Sequence, residues 1–189
     1  MSEEPSPAAP VPLGGGYLLE PLRAEHVPAL VAAYRRNAEH LAPYEPRRSP
    51  AFFTEEGQAS VVAGQLASVA GGHTVAWVLT SADEVGLVVG RLNLNNVVRG
   101  ALWSAALGYW VDVRHQGRGL ATRAVEAGCA AARAMGLHRV EAGTLVHNAA
   151  SQRVLERNGF RRYGLAPRYL RINGEWRDHI LFQRLADDE

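Results

Sequence analysis

A glycine-rich turn between an apolar run and a helical pattern is the part of this sequence best suited to chemistry. The apolar run covers residues 107–111, the turn reads Gln116-Gly117-Arg118-Gly119, and the helical pattern begins directly after it. Such a turn aims unpaired backbone N–H groups and the positive end of a helix dipole at one point. Glycine lets a phosphate approach the main chain, because no β-carbon stands in the way. The segment therefore predicts a phosphate or pyrophosphate site.

The elements that must position this turn follow from hydrophobic periodicity. Alternating or continuous apolar runs predict strands over residues 17–22, 73–80, 85–94, 105–113, 139–145, 161–170 and 175–183. Helical spacing predicts helices after residue 23, after residue 54, over 117–135 and from residue 148. Loops are predicted over 42–50 and 95–104. Proline and glycine near the start predict a disordered N-terminal tail over 1–16, followed by one domain over 17–189.

Composition narrows the possible functions. The 189 residues carry a formal net charge of +1, with basic and acidic residues interspersed, so no nucleic-acid partner and no membrane surface is predicted. Every basic residue apart from histidine is arginine, and the absence of lysine rules out a Schiff base or a lysine general base. The single Cys129 cannot form an internal disulfide or a multi-cysteine metal site. A cytoplasmic protein without a bound metal is expected.

Two blocks of residues, in order, resemble the GNAT family of N-acetyltransferases. The turn from Gln116 to Ala121 fits the family's Gln/Arg-x-x-Gly-x-Gly/Ala pattern for acyl-CoA. The second block begins at Asn148 with Asn-Ala-Ala-Ser and continues through Val-Leu-Glu to Asn-Gly-Phe at residues 158–160. That block is similar to the RimJ/RimL-type branch, the ribosomal-protein-alanine N-acetyltransferases. The resemblance runs from about Leu18 to the end of the chain.

The resemblance implies a mixed α/β fold of the α+β type. Its central sheet is mainly antiparallel, has splayed middle strands and carries helices on both faces. It also implies acetyl-CoA as cosubstrate. The main chain of Val111, Asp112 and Val113 is expected to hold the pantetheine arm, and Asn148 to contact it. The expected pyrophosphate contacts come from the segment Gln116, Gly117, Arg118, Gly119, Leu120, Ala121 and Thr122.

The implied reaction is direct attack of a primary amine on the acetyl carbonyl, with no acyl-enzyme. A backbone N–H near Val111 would stabilise the developing oxyanion. Ser151 is expected near the thioester sulfur, as the general acid that protonates the leaving thiolate. An α-amino group has a pKa of about 7.7–8, so a strong base is not essential. Candidate bases are Glu141, which we rank first, and His147, Glu175 and His179.

The acceptor stays open at this stage. The resemblance to the RimJ/RimL-type branch implies that the acceptor is the α-amine of an N-terminal alanine, in a small-subunit ribosomal protein or in another protein. The alternatives are a small-molecule amine or antibiotic, an internal lysine, and transfer of a larger group such as succinyl. The oligomeric state is open between monomer and homodimer.

Two hypotheses that assign the protein to a different functional class also remain. A Rossmann-type oxidoreductase would use Gly117 and Gly119 with Glu141 on a ribose, but Thr122 stands where a third glycine is expected. A non-catalytic acyl-CoA sensor or ribosome assembly factor would keep the cofactor pocket without turnover. The presence of Ser151 favours chemistry over this second reading.

Overall fold

The computed structural model describes residues 9–84 and 86–186, which form one eight-stranded sheet with helices on both faces. The strands lie in the order β1-β2-β3-β4-β5-β6-β8-β7, and every neighbouring pair is antiparallel except β5 with β6. The strands are β1 (Val11–Gly14), β2 (Tyr17–Pro21), β3 (Val75–Ser81), β4 (Val88–Val98), β5 (Ser104–Val111), β6 (Arg139–Leu145), β7 (Arg161–Ile172) and β8 (Glu175–Leu185). The predicted fold class is confirmed.

The helices follow the apolar periodicity of the sequence. They are α1 (Val27–Arg36), α2 (Ala38–Leu41), α3 (Glu55–Ala70), α4 (Leu120–Ala134) and α5 (Ala149–Arg157). The Thr54 side chain accepts a hydrogen bond from the Gly57 N–H and so caps α3. Within the described part of the chain, no helix is both long and apolar enough to cross a membrane.

Two apolar layers cover the sheet, one on each face. Helices α4 and α5 pack on the face that carries Leu79 and Leu92, whereas α1 and α3 pack on the face that carries Val78. Contact between α4 and β4 is close, since a β-carbon on Gly128 would lie only 2.8 Å from Leu92 Cδ2. This packing fixes the position of the α4 N-terminus relative to the strands.

Strands β5 and β6 are hydrogen bonded over only a short stretch and then separate. Their parallel register joins Ser104, Ala105 and Ala106 to Arg139, Val140 and Glu141, and pairing ends there. Strand β5 continues to Val111, and β6 continues to Leu145 in contact with β8 on its other side. The expected splay of the middle strands is therefore present, and it opens toward the C-terminal ends of both strands.

The predicted tail over residues 1–16 is wrong for its final part. Residues 11–14 form β1, which pairs with β2 through Val11 opposite Leu19, and Leu13 is only 4% exposed in the core. Gly15 and Gly16 adopt positive φ angles of 61° and 75°, which glycine tolerates and which allow the tight return into β2. Glycine here serves a hairpin, so the ordered domain begins before residue 17. Residues 1–8 lie outside the described residues.

Strand β4 is longer than predicted and occupies part of the expected loop over 95–104. It runs to Val98 across a shift of register between Asn95 and Val98. Asn96 has a φ of 50° at that point, a backbone conformation that asparagine adopts more readily than most residues. The irregularity interrupts the apolar alternation, which explains why the sequence pattern indicated a loop.

Candidate active site

The glycine turn predicted from the sequence forms one end of a cavity of about 430 Å³. Gly117 and Gly119 have φ angles of 73° and 71°, so the chain reverses before α4 begins at Leu120, later than the predicted start at residue 117. No side chain caps the helix at Gly119. The N–H groups in the first turn of α4 therefore have no helical partner and face a possible ligand.

Most of the predicted site residues line this same cavity. Those that do are Val111, Gln116, Gly117, Gly119, Leu120, Ala121, Thr122, Asn148 and Ser151. The cavity therefore joins the end of β5, the glycine turn and the start of α5, which the sequence placed in separate blocks. Asp112, Val113, Arg118 and Glu141 are not among the lining residues.

The main chain at the end of β5 points into the gap between β5 and β6. The Asp112 N–H donates to the Val89 carbonyl at 2.8 Å, and the register places Val111 opposite Gly90. Hydrogen-bonded and non-hydrogen-bonded positions alternate along an antiparallel pair. The N–H and C=O groups of Val111, and those of Tyr109 two residues earlier, are therefore directed away from β4 toward the separated β6.

Asp112 itself is a structural anchor. It is fully buried, and its carboxylate accepts hydrogen bonds from Arg36 Nε at 2.6 Å, Asn37 Nδ2 at 2.9 Å and the Arg114 N–H at 2.9 Å. Burial alone would raise the pKa of Asp112, but the bonds from Asn37, Arg114 and Arg36 outweigh it and lower the pKa below its usual value. The Val113 N–H donates to Asn37 Oδ1. The N–H groups of Asp112 and Val113 are thus already used within the protein.

The side chains of Arg118 and Gln116 are also held by other protein groups. Arg118 Nη1 donates to the Tyr17 hydroxyl at 3.0 Å, and that hydroxyl also lies 2.9 Å from His115 Nδ1. These bonds tie the turn to β2. Gln116 Nε2 lies 2.7 Å from His40 Nε2 on α2, which brings α2 to the edge of the cavity.

Ser151 and Asn148 meet at the start of α5. The Asn148 side chain accepts a hydrogen bond from the Ser151 N–H at 3.1 Å, so it caps the helix as predicted. The Ser151 hydroxyl lies 2.9 Å from the Tyr109 hydroxyl. Burial raises the pKa of Tyr109 to about 12, although the hydrogen bond with Ser151 acts in the opposite direction. Two neutral hydroxyl groups therefore stand together in the cavity wall.

Glu141 lies away from the cavity. Its carboxylate accepts hydrogen bonds from Arg139 Nε and the Tyr163 hydroxyl, both at 2.9 Å. Glu141 pairs with Ala106, and Val111 lies five residues further along β5, about 17 Å at 3.3 Å per residue. The structure does not bring Glu141 to Ser151, because the carboxylate belongs to the paired end of β5 and β6 and not to the splayed end.

The other candidate bases differ in position. His147 is exposed just before Asn148, and its ring lies 6.3 Å from the ring of Tyr44, a residue that lines the cavity. His179 is buried opposite Leu145 at the splayed end of β6. Glu175 is exposed and forms an ion pair with Arg177. Of these three candidates, His147 is the one placed beside a residue of the cavity lining.

Several residues that line the cavity were not predicted from the sequence. Tyr109 lies within the predicted strand and was not assigned to the site, although its two-residue spacing from Val111 places both on one face of β5. Arg153 and Arg157 also line the cavity, from successive turns of α5. Their four-residue spacing was a usable signal, since such residues share a helix face. Tyr44 and His40 come from a distant loop and helix, and no local pattern marks them.

The cavity combines splayed strands, an uncapped helix start and a neighbouring hydroxyl group. This combination defines a site of the acyltransferase class. The sequence matches the family model described as Acetyltransferase (GNAT) domain over residues 17–161. The chain therefore belongs to the GNAT acetyltransferase family, and its class of chemistry is that of an N-acetyltransferase.

Particular relatives refine this assignment. The chain is 34% identical over 149 residues to the ribosomal protein uS5-alanine N-acetyltransferase of Escherichia coli, covering 78% of this chain and 76% of that protein. It is 38% identical over 113 residues to the probable N-acetyltransferase YjcK of Bacillus subtilis, covering 59% of this chain and 61% of that protein.

Solved structures agree with the sequence relatives. The ribosomal-protein-S5-alanine acetyltransferase of Vibrio fischeri superposes with a TM-score of 0.90 at 31% identity, covering 95% of this chain and 98% of that chain. A Mycobacterium smegmatis RimJ in complex with CoA-disulfide superposes with a TM-score of 0.87 at 34% identity, covering 95% and 87%.

Proposed function

We propose that this protein transfers the acetyl group of acetyl-CoA to the N-terminal α-amine of a protein, in a ternary complex and without an acyl-enzyme. The observation that carries the proposal is the short pairing of β5 with β6, which leaves the Val111 main chain directed into the cavity. The same cavity contains the uncapped start of α4 and the Ser151 hydroxyl.

In this proposal the parts of acetyl-CoA occupy successive sections of the cavity. The N–H groups from Gly117 to Thr122 would hold the pyrophosphate, since they are fixed and lack helical partners. The pantetheine arm would lie along β5 as an added strand, paired with the outward C=O of Val111, which leaves the Val111 N–H for the acetyl oxygen. The N–H groups of Asp112 and Val113 hold the strand end in place and are not available to the arm.

Each step of the reaction then has a local group. The amine nitrogen attacks the acetyl carbon, and the N–H of Val111 donates to the developing oxyanion. The carbon–sulfur bond breaks with its electron pair going to sulfur, and Ser151 donates a proton to the thiolate. Glu141 takes no part, because it is bound to Arg139 and Tyr163 outside the cavity. Water can accept the proton from the amine, since an α-amine near neutral pH is partly unprotonated.

The acceptor assignment rests on the relatives. The E. coli relative is named for acetylation of the alanine of ribosomal protein uS5. We extend that acceptor class, a protein N-terminus beginning with alanine, to this chain, and a small-subunit ribosomal protein is its first candidate. A cytoplasmic location follows from that partner.

Release of free CoA thiol from acetyl-CoA, with three separate acceptors, tests this proposal. The acceptors are an alanine-first peptide, the same peptide with a blocked N-terminus and an internal lysine, and a mixture of small amines. Turnover with the first alone, and an acetyl group located on its α-nitrogen by mass spectrometry, is expected. Turnover only with small amines would move the protein to small-molecule acetylation. No release with any acceptor would favour another acyl donor or a non-catalytic acyl-CoA sensor.

A further inference from the structure

The hydroxyl groups of Tyr109 and Ser151 form a closed pair in the wall of the cavity. Their oxygen atoms lie 2.9 Å apart, and the Tyr109 hydroxyl also lies 3.3 Å from the Ser151 carbonyl oxygen. Both residues line the cavity, one from β5 and the other from α5. Tyr109 thus contacts the side chain and the main chain of the same residue.

The proton count of this pair allows two arrangements. A carbonyl oxygen can only accept, so Tyr109 donates its single proton whenever it bonds the Ser151 carbonyl. Ser151 then donates to Tyr109, and its proton faces the wall. In the second arrangement Tyr109 donates to Ser151 Oγ, and the serine proton is free to point into the cavity. The two arrangements differ only by rotation of two hydroxyl groups.

We propose that Tyr109 is a positioning residue that turns the Ser151 proton toward the leaving sulfur during acetyl transfer. This inference rests on the proposed function. As the carbon–sulfur bond breaks, its electron pair goes to sulfur, and Ser151 donates its proton there. Tyr109 turns its hydrogen bond from the carbonyl to Ser151 Oγ, where it stabilises the negative charge that develops on that oxygen. Tyr109 keeps its own proton; the attacking amine releases one proton to water, and water returns one proton to Ser151, so the protons balance.

The burial of Tyr109 suits this role. A phenol with a pKa near 12 remains protonated throughout the neutral range, so the pair keeps both its protons at working pH. Hydrogen bonds in series also strengthen one another, because a hydroxyl that accepts a bond becomes a better donor. Ser151 is therefore a better donor to sulfur when Tyr109 donates to it than when it stands alone.

The test is a double-mutant cycle with Tyr109→Phe and Ser151→Ala, measured with the alanine-first peptide. Tyr109→Phe keeps the ring and its packing, and kcat should fall about ten-fold while KM for acetyl-CoA stays unchanged. Ser151→Ala should lower kcat further, and adding Tyr109→Phe to it should cause no additional loss, because the tyrosine acts only through the serine. Tyr163→Phe is the matched control, since it removes a tyrosine hydroxyl bonded to Glu141 outside the cavity, and kcat should not change.

The outcomes separate the inference from the proposed function. An unchanged or faster kcat in Tyr109→Phe, while the wild-type enzyme turns over, would overturn the tyrosine role alone. Losses that multiply in the double variant, accompanied by a raised KM, would show that Tyr109 only supports packing, and this also overturns it. If the wild-type protein releases no CoA with any amine, the proposed function and the inference fail together.

Discussion

Two segments between the end of β5 and the start of α4 differ in whether their polar groups are hydrogen bonded within the protein. At Asp112 and Val113 the carboxylate and both N–H groups are bonded to other parts of the protein. A few residues later, from Gly119 into α4, no side chain caps the N–H groups. The first segment fixes the geometry of the loop, and the second leaves donors for a ligand. A rigid anchor beside an unsatisfied site is how a protein prepares binding without reordering.

The largest effect is expected from breaking the anchor. Asp112→Asn keeps the shape of the side chain but leaves the Arg36 guanidinium without its charged partner. Loss of one member of a buried pair costs about 3–5 kcal/mol, so the free energy of unfolding, measured in urea, should fall by that amount. Glu45→Gln is the matched control, because its ion pair with Arg48 is exposed and should contribute less than about 1 kcal/mol. Equal effects in both variants would contradict the anchor role.

The effect of pH sharpens the same comparison. The folded pKa of Asp112 is lowered, so its carboxylate contributes stability above the unfolded pKa of about 3.9 and loses it as pH falls through the folded value. The difference in unfolding free energy between wild type and Asp112→Asn should therefore be largest near neutral pH and shrink below about pH 4. Urea unfolding across that range measures it, and a constant difference would show that charge is not the cause.

A substitution in the glycine turn, whose N–H groups have no capping side chain, should weaken acetyl-CoA binding more than it lowers the stability of the fold. Gly119→Ala forces an L side chain into a φ of 71°, which costs about 1–2 kcal/mol and displaces the start of α4. We expect KM for acetyl-CoA to rise about ten-fold, equivalent to about 1.4 kcal/mol. Gly100→Ala carries the same backbone cost at a φ of 77° in a loop with open space around it. Initial rates should show no change in KM for that control, whereas a similar rise in both would point to a general loss of stability.

The smallest effect is expected from the charge around the cavity. Arg153 and Arg157 are exposed, line the cavity and share one face of α5. Arg157→Ala should raise KM for acetyl-CoA by about two- to five-fold with kcat unchanged, because an exposed cation contributes under about 1 kcal/mol. The effect should fade as salt increases. Arg162→Ala, an exposed arginine of β7, is the control, and an equal effect there would mean that net charge alone is responsible.

The sequence predicted the features that depend on local signals. Positive φ angles at Gly117 and Gly119 and the cap at Asn148 all lie within a few residues of the elements they serve, so glycine and asparagine mark them directly. The strand, turn and helix around the cavity were predicted for the same reason. Their boundaries shifted by a few residues, because propensity alone does not determine where an element ends.

The features that were missed depend on contacts across the chain. Asp112 is held by Arg36 at the end of α1 and by Asn37 directly after it, more than seventy residues away, and no spacing in the sequence reveals these bonds. Glu141 sits on the expected strand, but only the register of β5 with β6 shows that it belongs to the paired end. Strand β1 was read as disorder because its flanking prolines and glycines have the composition of a tail.

The brief pairing of β5 with β6 also has a mechanical consequence. One half of the sheet contains β1 to β5, and the other contains β6, β8 and β7. Direct hydrogen bonding between the halves involves three residue pairs at one end of the junction. The two strands are therefore held together at Ser104–Ala106 and are separated at Val111. A change in the width of the cavity mouth would therefore leave the strand pairing within each half intact, whereas deforming either half would break it.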